Sequence, residues 1–339
     1  MSKKILIGII IMVVVVILGI GLYWSIQKQP KKYTGEIKKE IILGCETSLL
    51  PSAVWIAENK GYFQEESLNV KIKEFGSGRT ALRTMLNEGN LDMVTVAQTP
   101  VMFNSFSRSD YAIIAAMVYS DNDVKILVRQ DKGIIDPSDL IGKKVGITKG
   151  STGHFFLGLF LAHNGLELSE VETIDLEASD LPQALVEGRV DAISTWEPNI
   201  LNAKSLLGEK VLLLPSEGIF REDFYFVPNR NFMENNPEIL KSFLKAIEKG
   251  EEFIQKNREE SIDIVCERLK LDKELTASIW SDFNFELMLD QTILITLEDE
   301  ARWAIREGLI DKKEVPNYLD FIYMDLLENV RPEAITVIR

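Results

Sequence analysis

Residues 87–96 read NEGNLDMVTV and residues 186–195 read VEGRVDAIST, and this internal repeat constrains the fold more than any other feature of the 339-residue chain. In each copy a Glu-Gly pair (88–89 and 187–188) ends a helical segment, with glycine as the left-handed stop. Asp92 and Asp191 then open short strands. The likeness extends upstream: a strand at 41–45, a Ser-containing loop, a helix ending near Gly61 and a strand at 69–75 mirror a strand at 144–148, the loop KGST, a helix ending near Gly165 and a strand at 171–176. Gly44 and Gly146 are 102 residues apart, Gly61 and Gly165 104, Gly89 and Gly188 99. Periods of about 20–50 residues would mean a solenoid, whereas one repeat near a hundred means two similar α/β units.

From Lys38 onward short β-branched runs (EIILG, NVKIKEF, DMVTV, YAIIAAMV, VKILV) alternate with helical segments, which predicts an α/β fold with a largely parallel sheet in each unit. After FYFVPNR the pattern changes, and from Pro237 nearly everything reads as helix, with no clear strand. A block of that kind must pack on a unit already built. The expected organisation is therefore a first lobe of residues 38–127 and 229–339 and a second of 128–228. The chain crosses between them near VKILVRQD and near FYFVPNR, and two crossovers make a hinge over a cleft.

Ile5 to Leu22 is an 18-residue apolar run without a charge, about 27 Å as a helix, and Tyr23 and Trp24 follow where interfacial aromatics sit. No small-residue cleavage site follows, so residues 5–23 are expected to be an uncleaved transmembrane anchor and 24–37 a polar linker, with the large domain extracytoplasmic. Lys3 and Lys4 precede the run and Lys28, Lys31, Lys32, Lys38 and Lys39 follow it, so the positive-inside rule alone would put the large domain inside the cell, but long domains translocate largely regardless of such charge. The stretch Ile42-Leu43-Gly44-Cys45 has the form of a lipoprotein cleavage box, but Cys45 lies 22 residues beyond Tyr23, and the repeat makes it the end of a strand. Residues 41–339 carry a net charge of −19, which argues against a nucleic-acid partner. Cys45 and Cys266 are expected as two buried thiols.

Several stretches resemble the ABC-transporter solute-binding proteins for nitrate, sulfonate and taurine and the related binders of thiamine-pyrimidine precursors. They are SLLPSAVWIAENKGYFQEESLNV, GSGRTALRTMLNEGNLDMVTV, DPSDLIGKKVGITKGSTGHFFLGLFLAHNGL, VEGRVDAISTWEPN and the tail NYLDFIYMDLLENVRPEAITVI. The resemblance runs from about residue 38 to the end, and DLIGKKVGITKGS followed by VDAISTWEP is its most specific part. It implies a two-lobed type II periplasmic-binding fold that presents its ligand to an ABC permease with its ATPase subunit, as a monomer and without a cofactor.

GSGRT (76–80) and KGSTGH (149–154) are Gly/Ser loops that run directly into helices, whose free N–H groups and positive dipole ends suit an oxyanion. Ser77, Gly78, Arg79, Ser151, Thr152, Gly153 and His154 are therefore candidate ligand contacts, although Ser77 and Ser151 could equally be helix caps. Thr47, Ser48 and Leu49 in the loop before Pro51 form a third such site. Strand ends in open α/β sheets face the ligand, which adds Trp196 and Glu197 of WEP and, in the matching loop AQTP, Gln98 and Thr99. Two histidines cannot build the usual zinc sites, and no P-loop, HExxH, GxSxG or CxxC occurs, so neither an enzyme nor a metal site is expected. The expected function is capture of a small anion (sulfonate, taurine or nitrate-like). The alternatives are a thiamine-precursor pyrimidine as ligand, or a sensing domain acting through a membrane partner. Glu46 and Glu197 near the cleft speak against a bare anion.

Overall fold

The computed structural model describes residues 39–338. The expected anchor at 5–23 and linker at 24–37 lie outside them. Among the described residues no helix is long and apolar enough to cross a membrane.

The first copy of the repeat supplies β1 (Lys39–Glu46), α1 (Ser52–Lys60), β2 (Leu68–Phe75), α2 (Gly78–Glu88) and β3 (Met93–Ala97), followed by α3 (Gln98–Ser105) and β4 (Ala115–Ser120). The chain then crosses to β5 (Lys125–Arg129). The second copy supplies β6 (Lys144–Ile147), α4 (Thr152–His163), β7 (Glu172–Asp175), α5 (Leu181–Glu187) and β8 (Ala192–Thr195), followed by α6 (Asn199–Leu207) and β9 (Val211–Leu213). A return crossing leads into β10 (Glu222–Pro228), α7 (Pro237–Lys256), α8 (Arg258–Leu269), α9 (Lys273–Ile279), β11 (Phe283–Met288) and α10 (Gln291–Arg306).

Two sheets result, ordered β11-β4-β10-β3-β1-β2 and β7-β6-β8-β5-β9. Their centres have one plan. β1 lies parallel between β2 and β3, as β6 does between β7 and β8, and each third strand then pairs antiparallel with a strand that follows a crossing, β10 in one sheet and β5 in the other. The repeat's aspartates do the same work in both copies: Asp92 accepts from Ile42 N at 2.7 Å and Asp191 from Lys144 N at 3.1 Å, each tying the entry of the third strand to the central strand. Gly89 and Gly188 end their helices at φ 64° and 72°, the left-handed turn that the shared Glu-Gly requires.

β3 and β10 are buried along their whole length, as strands covered on both faces must be. The covering comes partly from the C-terminal helices. α7 buries Leu240, Phe243, Leu244, Ile247 and Ile254 at helical spacing. It approaches α1 so closely that a side chain on Gly250 would meet the Ala53 carbonyl oxygen at 2.6 Å.

Sequence periodicity misplaced two features. The expected boundary at 127/128 falls inside β5 and that at 228/229 at the far end of β10: all of β5 pairs in the second sheet and all of β10 in the first, so the crossings are residues 121–124 and 214–221. Runs that are fully apolar look the same in either sheet, and only pairing assigns them. The C-terminal block also holds a strand, β11, on the edge of the first sheet, where Phe283, Phe285 and Leu287 alternate inward with exposed Asn284 and Glu286. That period of two was present in FNFEL but brief.

Candidate functional site

The carboxyl ends of β1 and β3 and the start of α2 face the loops after β6 and β8. Between them lies a cavity with only about 10 Å³ of open space, room for about one water molecule. Glu46, Ser77, Gly78, Arg79, Ala97 and Pro100 line it from the first lobe, Ser151, Thr152 and Trp196 from the second, and Glu222 from the start of β10, just after the return crossing. Trp196 also borders an outer groove of about 420 Å³, which Thr47 and Glu74 flank on one side and Asn202 on the other. Arg79 also borders a third space of about 280 Å³, with Phe103, Lys149 and His154.

The structure thus brings Ser77, Gly78, Arg79, Ser151, Thr152 and Trp196 together. The hydroxyls of the two serines have local partners: Ser77 Oγ caps α2 by accepting from Thr80 N at 3.2 Å, and Ser151 Oγ donates to the Thr148 carbonyl at 2.7 Å. The first turn of α2 does not await an external anion, because Gly78 N donates to Glu46 Oε2 at 2.5 Å. The protein's own carboxylate occupies that helix end. Glycine is required there, since a Cβ would meet Val96 Cα at 2.7 Å and the Thr95 oxygen at 2.8 Å. Gly153 serves a similar close approach, with its carbonyl accepting from Ser194 Oγ at 2.7 Å.

The other candidates do not line this cavity, although Ser48 stands against Glu46 and Glu197 N donates to Asp123 Oδ1 at 3.2 Å. Thr47 lines only the outer groove. Ser48 and Leu49 are fully buried, Leu49 as core. Gln98 holds β10, donating from Nε2 to the Arg221 carbonyl and accepting from Asp223 N, both at 3.0 Å. Thr99 is buried beside Glu300 of α10. Glu197 is the strand-end carboxyl of WEP. It pairs with buried Lys125 at 3.1 Å and caps α6 through Leu201 N at 2.9 Å. His154 borders the third space, packed edge-on against Trp303 at 5.4 Å, and burial together with Lys149 pushes its pKa down to about 4.

What sequence reasoning missed is the acidity of the centre. Glu46 and Glu222 are 4% and 2% exposed, and Asp123 stands beside Glu222. Glu46 Oε1, Asp123 Oδ2 and Glu222 Oε2 are buried without a well-formed hydrogen bond, while Ser48 and Trp196 stand against Glu46, and Asp123 and Thr152 against Glu222. Burial pushes Glu46 up to about 7 against the pull of the Gly78 N–H. It pushes Asp123 up to about 7 despite Glu222 and Lys125, and Glu222 well above the carboxylate range with Asp123 adding to it. The signal available in sequence was weak: an acid at each crossing, in SDNDVK and in FREDF. Among the described residues no group of His, Cys, Asp and Glu is placed to hold a metal ion. Cys45 and Cys266 are buried, unpaired thiols.

A family model described as NMT1/THI5 like matches residues 52–261. A putative aliphatic sulfonates-binding protein of Bacillus subtilis is 29% identical over 281 residues, 81% of this chain and 83% of that protein. The taurine-binding periplasmic protein of Escherichia coli is 26% identical over 210 residues, 61% of this chain and 63% of that one. Among solved structures, the alkanesulfonate-binding protein SsuA from Xanthomonas axonopodis pv. citri, bound to MOPS, superposes with a TM-score of 0.76 at 18% identity, covering 86% of this chain and all of the other.

Proposed function

The chain belongs to the NMT1/THI5-like family, and we propose that it is the extracytoplasmic solute-binding protein of an ABC importer, which closes its two sheet-centred lobes over a small organic solute and delivers it to a permease and ATPase. One observation carries this: a cavity walled by Gly78 and Arg79 from one copy of the repeat and by Ser151, Thr152 and Trp196 from the other, with two chain crossings beside it. A site of that construction binds by enclosure. Its open space of about 10 Å³ is too small for any organic solute, so entry requires the walls to part and re-form around it.

The relatives named for sulfonates and taurine support an organosulfur solute. Arg79 supports an oxyanion at one end of it, because among the described residues this guanidinium lines the cavity without an ion-pair partner. In this reading residues 5–23 tether the domain to the membrane and 24–37 give it reach. Deleting the gene should abolish growth on taurine or an alkanesulfonate as sole sulfur source, and restoring the full-length chain should restore it. Unimpaired uptake of every such compound in the deletion strain would refute the importer role.

A further inference from the structure

We propose that Trp196 is a door in the binding cleft: its indole stands in the space that a solute must enter, swings into the outer groove to admit one, and so limits both the size and the affinity of what is bound. This rests on the solute-binding reading and assigns that site a residue that sets its specificity.

Trp196 follows directly on β8 and lines two spaces at once, the inner cavity of about 10 Å³ and the outer groove of about 420 Å³. At 4% exposure its indole is the partition between them. The groove has room for that ring. Leu269 and Leu271 line it with apolar surface and Lys270 with a cation, and a cation is attracted to an indole face. The inward position is held by less than the other buried indoles have. Trp55 lies under Arg268 at 4.9 Å, Trp280 beside Phe285 at 5.1 Å and Trp303 beside Phe155 at 5.0 Å. Among the described residues no ring or cation holds Trp196 in this way; across the cleft its indole stands against the Glu46 carboxyl.

The backbone beside the indole is pinned. The Trp196 carbonyl accepts from Asn199 N at 3.0 Å, Glu197 N donates to Asp123 Oδ1 at 3.2 Å, and the Glu197 carboxylate pairs with Lys125 at 3.1 Å. The ring therefore swings about its own side-chain torsions, from one staggered rotamer to another, while the strand end stays in place. Solute and indole exclude each other from the cavity. With the inward position occupied about nine-tenths of the time or more, apparent affinity falls about tenfold or more. Removing the indole lifts that restriction and joins the cavity to the groove, which gives a longer solute somewhere to extend. A tryptophan that served as a stacking platform would instead contribute affinity. Loss of the ring thus has opposite signs in the two cases.

Calorimetric titration of the full-length parent and of Trp196→Ala with taurine and with straight-chain sulfonates from ethanesulfonate to octanesulfonate reads that sign. The variant is expected to bind at least one of them about tenfold tighter or more than the parent does, with a larger gain for octanesulfonate than for ethanesulfonate. Equal or weaker binding by the variant of every compound the parent binds overturns the door, and a gain no larger for octanesulfonate overturns the size limit. Trp196→Phe, with a smaller ring, should gain in the same direction and serves if the alanine variant does not fold. Fluorine spectra of the full-length chain carrying fluorinated tryptophan decide the point without a solute. The Trp196 resonance, identified by its loss in Trp196→Phe, should exchange between two environments, one of them relaxed by a soluble gadolinium chelate. A single resonance that neither exchanges nor responds to the chelate overturns the door, whatever the chain binds. An exchanging resonance with no sulfonate bound by either chain supports the door and counts against the organosulfur reading alone, which the deletion strain tests separately.

Discussion

At the residue scale the central acids set how stability depends on pH. Glu46 and Asp123 have folded pKa values near 7 against about 4 in an unfolded chain. A carboxyl raised in this way contributes stability that is fully present below its unfolded value and is lost as pH rises through the folded one. Each such group costs about 1.4 kcal/mol per pH unit inside its window. His154, held down to about 4, acts in the opposite sense, but only below its ordinary value of about 6.5. From pH 6.5 upward the carboxyls act alone, so the unliganded chain should melt at a lower temperature at pH 8 than at pH 6. A melting temperature that rises over this interval would contradict their burial as charged groups. Sequence exposed part of this residue set and hid the rest. Ser77, Ser151 and Trp196 announce themselves because Gly/Ser loops and a strand-end aromatic are local patterns. Asp123 and Glu222 meet only because two crossings about a hundred residues apart run side by side, and no local pattern records that.

At the scale of elements, the approach of α2 to β3 is the tightest constraint on the site. Gly78→Ala places a methyl group against backbone at Val96 and Thr95, within 2.8 Å of both. It should therefore cost about 1–3 kcal/mol by overpacking and pull the Gly78 N–H away from Glu46. Gly76, two residues earlier, opens onto free space, and a Cβ added there would meet nothing within 4 Å. Gly76→Ala is therefore the matched control and should change stability by less than about 0.5 kcal/mol. Equal effects of the two in urea titrations would remove close packing as the reason for glycine at 78. The repeat made these elements legible, down to the paired roles of Asp92 and Asp191. It misled where it was extended by analogy: AQTP was matched to WEP, yet α3 begins at Gln98 itself and turns that amide toward the backbone of β10. The edge strand β11 escaped notice because three inward residues are too few to stand out among helices.

At the scale of the whole molecule, Trp303 joins the two lobes. It projects from α10, which packs beside α3 of the first sheet, and meets Phe155 at 5.0 Å and His154 at 5.4 Å on α4 of the second, edge-on to both. Gly158 leaves room for it, since a Cβ there would lie 2.7 Å from the indole nitrogen. Removing the indole should shift the unliganded chain toward separated lobes. Spin labels at Glu74 and Asn202, which border the outer groove from opposite sheets, should report a longer and broader distance in Trp303→Ala than in the parent. The native thiols are buried and will not compete for label. An unchanged distribution would mean that the lobes stay together without the latch. The crossings give this motion a particular geometry. Residues 121–124 and 214–221 run alongside each other, with Gly218 N donating to the Asp121 carbonyl at 3.2 Å; Asp123 lies within the first and Glu222 directly follows the second. A point on the axle of a hinge hardly moves when the leaves swing, whereas α2 and α4 ride on the leaves. In the proposed closure the acid pair would therefore be the fixed jaw of a vice, and only the opposite wall would have to travel to close on a solute.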